Sequence, residues 1–325
     1  MLLWSILAIF IGFALLVWSA DRFVSGAASL ARNLGVSPMV IGLTIVGFGT
    51  SAPEMLVSGI AAFEGSPAIA VGNALGSNIT NIGLVVGLTA VLSPIAVKSE
   101  TLRREFPLMF AVIVLALLMM MDQELDLMDS LILLTGMLGM IFWVVRLGLR
   151  KRVDPLAQEF DDEIPKGRSM LWSVGWLITG LVILMASSKV VVWGSVNVAQ
   201  YFGISDLVIG LTIIAIGTSL PELAASILCV LRKEDDMAIG NIIGSNMFNL
   251  LGVMGIPGLI TAFSFESQAL SRDFTAMFIL SLALYVMSFA PRRGQGKINR
   301  FEGATLLAGY TGYMIFLYFS AIGAT

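Results

Sequence analysis

Two polar motifs recur within long apolar segments of this chain. Residues 42–54 read GLTIVGFGTSAPE, and residues 210–222 read GLTIIAIGTSLPE. A second motif, GNALGSNITN at 72–81, returns at 240–249 as GNIIGSNMFN. Both pairs are separated by the same 168 residues, so the chain contains a duplicated unit whose copies should fold alike.

Composition places both units in a membrane. Of the residues, 57% are hydrophobic and only 13% are charged, and the mean hydropathy is +0.92. The apolar residues form blocks of about 20, the length at which a helix crosses a bilayer core. The sequence therefore predicts an all-α integral membrane protein. Ten spans are predicted, near residues 2–20, 36–62, 68–92, 105–121, 129–147, 170–192, 204–230, 238–261, 274–290 and 302–321.

The predicted spans divide into two sets of five. A first five-helix repeat covers 1–149, a polar linker covers 150–169, and a second repeat covers 170–325. An odd number of spans per unit means that the second copy is inverted in the membrane relative to the first. Inverted repeats of this kind place a substrate site near the midplane, between the copies.

The basic residues predict an orientation. With the N-terminus outside, 17 of the 19 Lys and Arg residues fall in cytoplasmic loops, and only Lys189 and Arg272 fall outside. This agrees with the excess of positive charge in cytoplasmic loops. We therefore expect a multi-pass cell-membrane protein with both termini external, which is periplasmic in a Gram-negative cell.

The absence of histidine and the single cysteine, Cys229, exclude several kinds of site. Zinc sites that contain histidine and metal clusters built from cysteine cannot form. We expect no enzymatic activity and no cofactor other than transported ions.

One glutamate lies near the middle of a predicted span in each copy, Glu54 and Glu222. A carboxylate at that depth costs free energy and indicates function. In the first copy Thr50 and Ser58 lie one helical turn on either side of Glu54, on the same face. The second copy repeats this arrangement with Thr218 and Ser226.

A proline precedes each glutamate. Pro53 and Pro221 cannot donate the backbone hydrogen bond of a continuous helix, so each is expected to break its helix at mid-membrane. Freed carbonyls are tolerated at that depth only if they face protein or a hydrated cavity. Carbonyl, hydroxyl and carboxylate oxygens are the hard ligands that suit sodium and calcium.

The second motif adds two further polar pairs, Ser77 with Asn81 and Ser245 with Asn249, each one helical turn apart. Asn78 and Asn246 lie between them. An alternative role for these residues is helix association through small residues and amide hydrogen bonds, and both roles can hold together.

Together the motifs G-T-S-x-P-E and G-N-x-x-G-S-N resemble those of the sodium/calcium exchangers, a family of the cation/calcium antiporter superfamily, over essentially the whole chain. The resemblance implies alternating access, with calcium extruded as sodium enters. It also implies a set of ion ligands drawn from both copies. These are Thr50, Ser51, Glu54, Ser77, Asn81, Thr218, Ser219, Glu222, Ser245 and Asn249, with carbonyls near Gly47 and Ala215.

Asn249 departs from the pattern of that family, whose members often carry Asp there. The site then holds two acids rather than three.

We expect a calcium/sodium antiporter that acts in the bilayer as a monomer and binds no nucleic acid. A proton/calcium antiporter is the alternative, because a carboxylate can exchange calcium for protons, and a cation channel is a more distant one.

The orientation is tested by side-specific labelling. A cysteine placed between residues 150 and 168 should react only with a reagent on the cytoplasmic side, and one at Thr325 only with a reagent outside. Labelling of both from the same side would contradict the ten-span arrangement.

Overall fold

The computed structural model describes residues 2–150, 168–203, 215–289 and 295–323. Most of the predicted linker 150–169, the beginning of the predicted span 204–230 and part of the motif at 210–222 lie outside these residues. The division of the chain at the linker therefore stays a prediction.

Helices account for nearly all of the described secondary structure. They are α1 (Leu2–Leu34), α2 (Pro38–Phe63), α3 (Ile69–Leu92), α4 (Ser99–Met120), α5 (Leu127–Arg150), α6 (Met170–Tyr201), α7 (Ala215–Thr218), α8 (Leu220–Leu231), α9 (Asp235–Gly258), α10 (Ala269–Met287) and α11 (Arg300–Gly323). Four short strands complete the list, β1 (Ile95–Lys98), β2 (Glu124–Leu125), β3 (Phe263–Ser264) and β4 (Gln295–Ile298).

Seven of these helices are long and apolar enough to cross a membrane, namely α1, α2, α3, α5, α6, α9 and α10. The fold is thus all-helical with multiple candidate spans, as predicted. The full count of ten spans in two inverted repeats stays a prediction, because the described residues show seven candidate spans and α8 is a shorter apolar helix.

Two helices extend past their predicted ends. The spans were predicted near residues 2–20 and 170–192, whereas helix α1 continues to Leu34 and α6 to Tyr201. Asp21 lies within this helix, and its carboxylate accepts a hydrogen bond from Nε of Arg232 at 2.9 Å. Hydropathy marks only the apolar part of a helix and therefore missed both extensions.

The expected break at each proline is found in only one copy. Pro53 lies within the regular helical part of α2, and the irregular turn of that helix is an earlier π-helical segment at Gly42–Val46. The second copy does break, since α7 ends at Thr218 and α8 begins at Leu220, before Pro221. One missing hydrogen bond is evidently insufficient to end the first helix.

Helices α1 and α6 pack closely because glycine lies at their crossing. A Cβ at Gly180 would lie 2.6 Å from the backbone nitrogen of Phe23, and one at Gly26 would lie 2.5 Å from that of Leu177. Only small residues permit such an approach in membrane helices.

Two short antiparallel ladders, which the hydropathy pattern does not indicate, connect the ends of the helices. Strand β1 pairs with β4, with Ile95 opposite Ile298, and β2 pairs with β3, with Leu125 opposite Phe263. Ile95 and Phe263 are separated by the repeat interval of 168 residues. Each ladder therefore joins one copy of the repeat to the other.

Candidate ion-binding site

Two buried carboxyl groups lie at the centre of the candidate site. Glu54 on α2 is 3% exposed, and Glu222 in the first turn of α8 is 1% exposed. The two groups are close enough to interact electrostatically, and Thr50 lies beside Glu222. Both oxygens of Glu54 and Oε2 of Glu222 are buried without a hydrogen-bond partner in the described part of the chain.

Neutral oxygens that are likewise buried without a hydrogen-bond partner come from both copies of the repeat. The hydroxyls of Ser51 and Ser219 and the amide oxygens of Asn81 and Asn249 are buried and accept or donate no hydrogen bond among the described residues. Buried polar atoms are normally satisfied, so a group of such oxygens in the two repeated motifs requires a physical reason. Carboxylate, hydroxyl and amide oxygens form the ligand set that sodium and calcium prefer.

A pair of amide hydrogen bonds fixes the direction of two of these oxygens. Nδ2 of Asn249 donates to Oδ1 of Asn78 at 3.0 Å, and Nδ2 of Asn81 donates to Oδ1 of Asn246 at 3.2 Å. These bonds join α3 to α9 and use the nitrogen of each donor amide. The oxygens of Asn81 and Asn249 are thereby left as acceptors. The packing role and the ligand role proposed for this motif are therefore compatible.

Two further asparagines were not singled out from the sequence. Nδ2 of Asn73 donates to Oγ of Ser58 at 3.1 Å and to the carbonyl of Glu54 at 3.2 Å. Asn241 makes the corresponding bond to Ser226 at 3.1 Å. Their recurrence at the repeat interval was the signal that could have found them. They hold the glutamate-bearing helices against α3 and α9.

One side of the site is closed by side-chain contacts. Thr50 is fully buried, and its hydroxyl lies 3.1 Å from that of Ser245 and 3.2 Å from Oδ1 of Asn241. The Ser245 hydroxyl also donates to the carbonyl of Gly47 at 3.3 Å. Thr218 is the repeat counterpart of Thr50, yet it is exposed. The two copies therefore differ at these threonines.

Glycines in the two copies of the second motif also differ in how closely they pack. A Cβ at Gly244 would lie 2.5 Å from the carbonyl oxygen of Leu43, and Gly240 packs against α2 in the same way. Their repeat counterparts are Gly76 and Gly72, of which Gly76 is half-buried and Gly72 is exposed. The interface is thus tight on the side of Gly244 and open on the side of Gly76.

Two cavities lie on the open side. One of about 290 Å³ is lined by Ser77 and Thr218, and the other, of about 270 Å³, by Glu54 and Thr218. Asn73 contributes to both. Lys189, which was counted among the external positive charges, also lines the second cavity. Glu54 thus lines open space on one side of the site.

Nine of the ten side chains predicted as ligands are buried, and Thr218 is the exception. The buried ones are Thr50, Ser51, Glu54, Ser77, Asn81, Ser219, Glu222, Ser245 and Asn249. Of the two predicted carbonyls, that of Gly47 lies in the closed contact described above. Ala215 is the first residue of α7.

Comparison of the chain with known protein families identifies the family to which this arrangement of residues belongs. Residues 4–146 and 172–319 match the family described as sodium/calcium exchanger protein. The chain belongs to the sodium/calcium exchanger family. It is therefore a transmembrane transport protein of an antiporter family, and that family is one of transporters rather than of enzymes.

Individual proteins similar to this exchanger extend the comparison. CaxA of Alkalimonas amylolytica, which is named as an antiporter, is 50% identical over 314 residues, covering 96% of this chain and 98% of CaxA. A solved structure of the sodium-calcium exchanger NCX_Mj matches with a TM-score of 0.82 and 33% identity, covering 98% of this chain and all of that one. The Ca(2+)/H(+) antiporter ChaA of Bacillus subtilis is 27% identical over 312 residues, 88% of this chain and 85% of ChaA.

Proposed function

We propose that this exchanger carries calcium in one direction and sodium in the other through a single site shared by both ions. The observation that supports this most is the pair of buried carboxylates, Glu54 and Glu222, accompanied by unpartnered neutral oxygens from both copies of the repeat. The ligands would be the ten side chains predicted from the motifs and the carbonyls near Gly47 and Ala215.

Charge balance explains why two such ions would compete. Two ionised carboxylates at membrane depth are costly unless a cation compensates them. One calcium ion neutralises both, whereas one sodium ion leaves a negative charge, so at least two sodium ions are required. Because both ions use the same oxygens, binding of one excludes the other, and exchange follows.

An antiporter needs one state open to each side of the membrane, and the two copies of the repeat can provide both states. In this state the contact of Thr50 with Ser245 closes one side, while Thr218 and Ser77 line cavities on the other. An inverted repeat can exchange these two arrangements, so that the open side closes as the closed side opens. A site closed on one side favours a carrier over a channel with a continuous pore. The proposal includes ten spans in two inverted repeats with external termini.

Proton/calcium exchange is the second candidate, and two observations favour it. The exchanger is similar to the Ca(2+)/H(+) antiporter ChaA. In addition, protons could neutralise Glu54 and Glu222 in place of sodium without histidine. The neutral ligands Ser51, Ser219 and Asn249 favour sodium, because hydroxyl and amide oxygens coordinate a metal ion but do not take up a proton at neutral pH.

Calcium flux into sealed vesicles tests this proposal when it is driven in turn by sodium, potassium and pH gradients. We expect flux with an opposing sodium gradient and none with a pH gradient alone. Glu54→Gln and Glu222→Gln should each reduce the sodium-driven flux by about a hundredfold or more, since removing one partner of a buried charged group costs about 3–5 kcal/mol.

Glu64→Gln is the matched control, because Glu64 is an exposed acid at the end of the same helix as Glu54. It should leave the flux unchanged. Flux driven equally well by a pH gradient would favour the proton alternative. Normal flux in either site variant would show that the carboxylates do not bind the transported ion.

A matched pair of glycine substitutions tests the exchange of the two packings. Gly244→Ala places a Cβ against backbone on the closed side and should lower the melting temperature, as overpacking costs about 1–3 kcal/mol. Gly76→Ala adds a methyl group on the open side and should leave the melting temperature unchanged or higher, since alanine favours helix by about 1 kcal/mol.

Gly76→Ala should nevertheless slow transport by about tenfold or more, because closure of that side would bring Gly76 against backbone as Gly244 is now, and about 1.4 kcal/mol corresponds to a factor of ten. Thermal unfolding in detergent and flux in vesicles provide the two measurements. Full transport activity of Gly76→Ala would contradict closure by the repeat-related contact.

A further inference from the structure

A cavity of about 370 Å³ away from the ion site is lined by four arginines. They come from three parts of the chain, two from α1, one from the start of α6 and one from the turn after α8. The arginines are Arg22, Arg32, Arg168 and Arg232, and the other lining residues that matter here are Trp172 and Glu234. All four belong to loops that the sequence predicts to be cytoplasmic.

Acidic partners balance only two of these charges. Nη1 of Arg32 lies 3.4 Å from Oε1 of Glu234, and Nε of Arg232 donates to Asp21 at 2.9 Å. Arg22 and Arg168 form no ion pair with an acid in the described part of the chain. The Nε atom of Arg22 is moreover buried there without a hydrogen-bond partner. Among the described residues, two of the four positive charges therefore have no acidic partner.

Tryptophans hold the guanidinium groups of these two arginines. Arg168 lies 4.0 Å from the centre of the Trp172 ring, and Arg22 lies 5.1 Å from that of Trp176 and 5.8 Å from that of Trp18. Such cation–π contacts restrict the arginines without neutralising them. Tryptophan is also the residue that concentrates at the level of lipid headgroups.

We propose that this cavity binds the phosphodiester group of an anionic phospholipid. Guanidinium groups bind phosphate oxygens through paired hydrogen bonds, and Arg22 and Arg168 are the two that lack an acid. Basic pockets between membrane helices are suited to anionic headgroups, and the tryptophans place this one at the depth of the headgroup. The proposal concerns a site separate from Glu54 and Glu222 and does not rest on the ions that the exchanger carries.

A lipid bound in this cavity would stabilise the folded protein because of the elements that line the cavity. It joins α1 and the start of α6 to the turn between α8 and α9, and α8 carries Glu222. A headgroup held there bridges elements that the Arg32–Glu234 and Arg232–Asp21 pairs already connect. Binding to the folded protein stabilises it in proportion to the occupancy of the site.

Thermal unfolding of the purified protein in a neutral detergent tests the proposal. The additives are phosphatidylglycerol, phosphatidylcholine and inorganic phosphate, each in titration. We expect phosphatidylglycerol to raise the melting temperature by several degrees and the other two to have little effect. The double variant Arg22→Gln/Arg168→Gln should lose this increase.

The control is the double variant Arg103→Gln/Lys233→Gln, which removes two exposed positive charges outside the cavity. It should respond to phosphatidylglycerol as the parent does. If the first double variant does not unfold cooperatively, the single variant Arg168→Gln serves instead, since Arg168 lies before α6 begins, and it should show a partial loss.

Four results would overturn the proposal. An equal response to phosphatidylcholine would mean that negative charge is not recognised. An equal response to inorganic phosphate would identify a free anion rather than a lipid as the ligand. A full response in the Arg22 and Arg168 variants, or a loss of equal size in the control, would remove the cavity as the site.

Discussion

The burial of Glu54 and Glu222 in an apolar protein is the constraint on which the rest of the structure depends. Each carboxyl group is almost fully enclosed, and a charge at membrane depth is unfavourable without compensation. Each glutamate is accompanied by hydroxyl and amide oxygens from its own copy of the repeat. Several of these oxygens have no hydrogen-bond partner among the described residues, and such a set of oxygens suits a cation.

The hydrogen bonds around the site explain how those acceptors are maintained. The amide nitrogens of Asn81 and Asn249 are used in bonds to Asn246 and Asn78, so their oxygens remain available. Asn73 ties the backbone and a serine of α2 to α3. Because these bonds cross between the helices of the two motifs, the same residues set both the packing of the helices and the direction of the oxygens.

The burial of most of the motif residues could be predicted from the sequence because the information is local. A glutamate that recurs at one interval within apolar segments, with hydroxyls one turn away, indicates burial and pairing without knowledge of the fold. It could not predict which side is open, since Thr50 and Thr218 stand in nearly identical motifs. That difference depends on how whole helices pack, and the packing buries Thr50 and exposes Thr218.

Other errors have the same origin in long-range contacts. Pro53 was expected to break its helix, but α2 continues through it. Lys189 was counted among the external positive charges, and its position on α6 at a cavity shared with Glu54 was not predicted. The two short ladders join segments about 140 and 200 residues apart, so no local pattern indicates them.

Binding of radioactive calcium to the purified exchanger at a series of sodium concentrations tests the central claim most directly. The account predicts one calcium ion per chain, with a maximum that sodium does not change. It also predicts that the half-saturating calcium concentration rises with at least the second power of the sodium concentration, because two sodium ions are needed to neutralise Glu54 and Glu222. A maximum that falls with sodium at an unchanged half-saturating concentration, or no effect of sodium, would contradict a single site shared by the two ions.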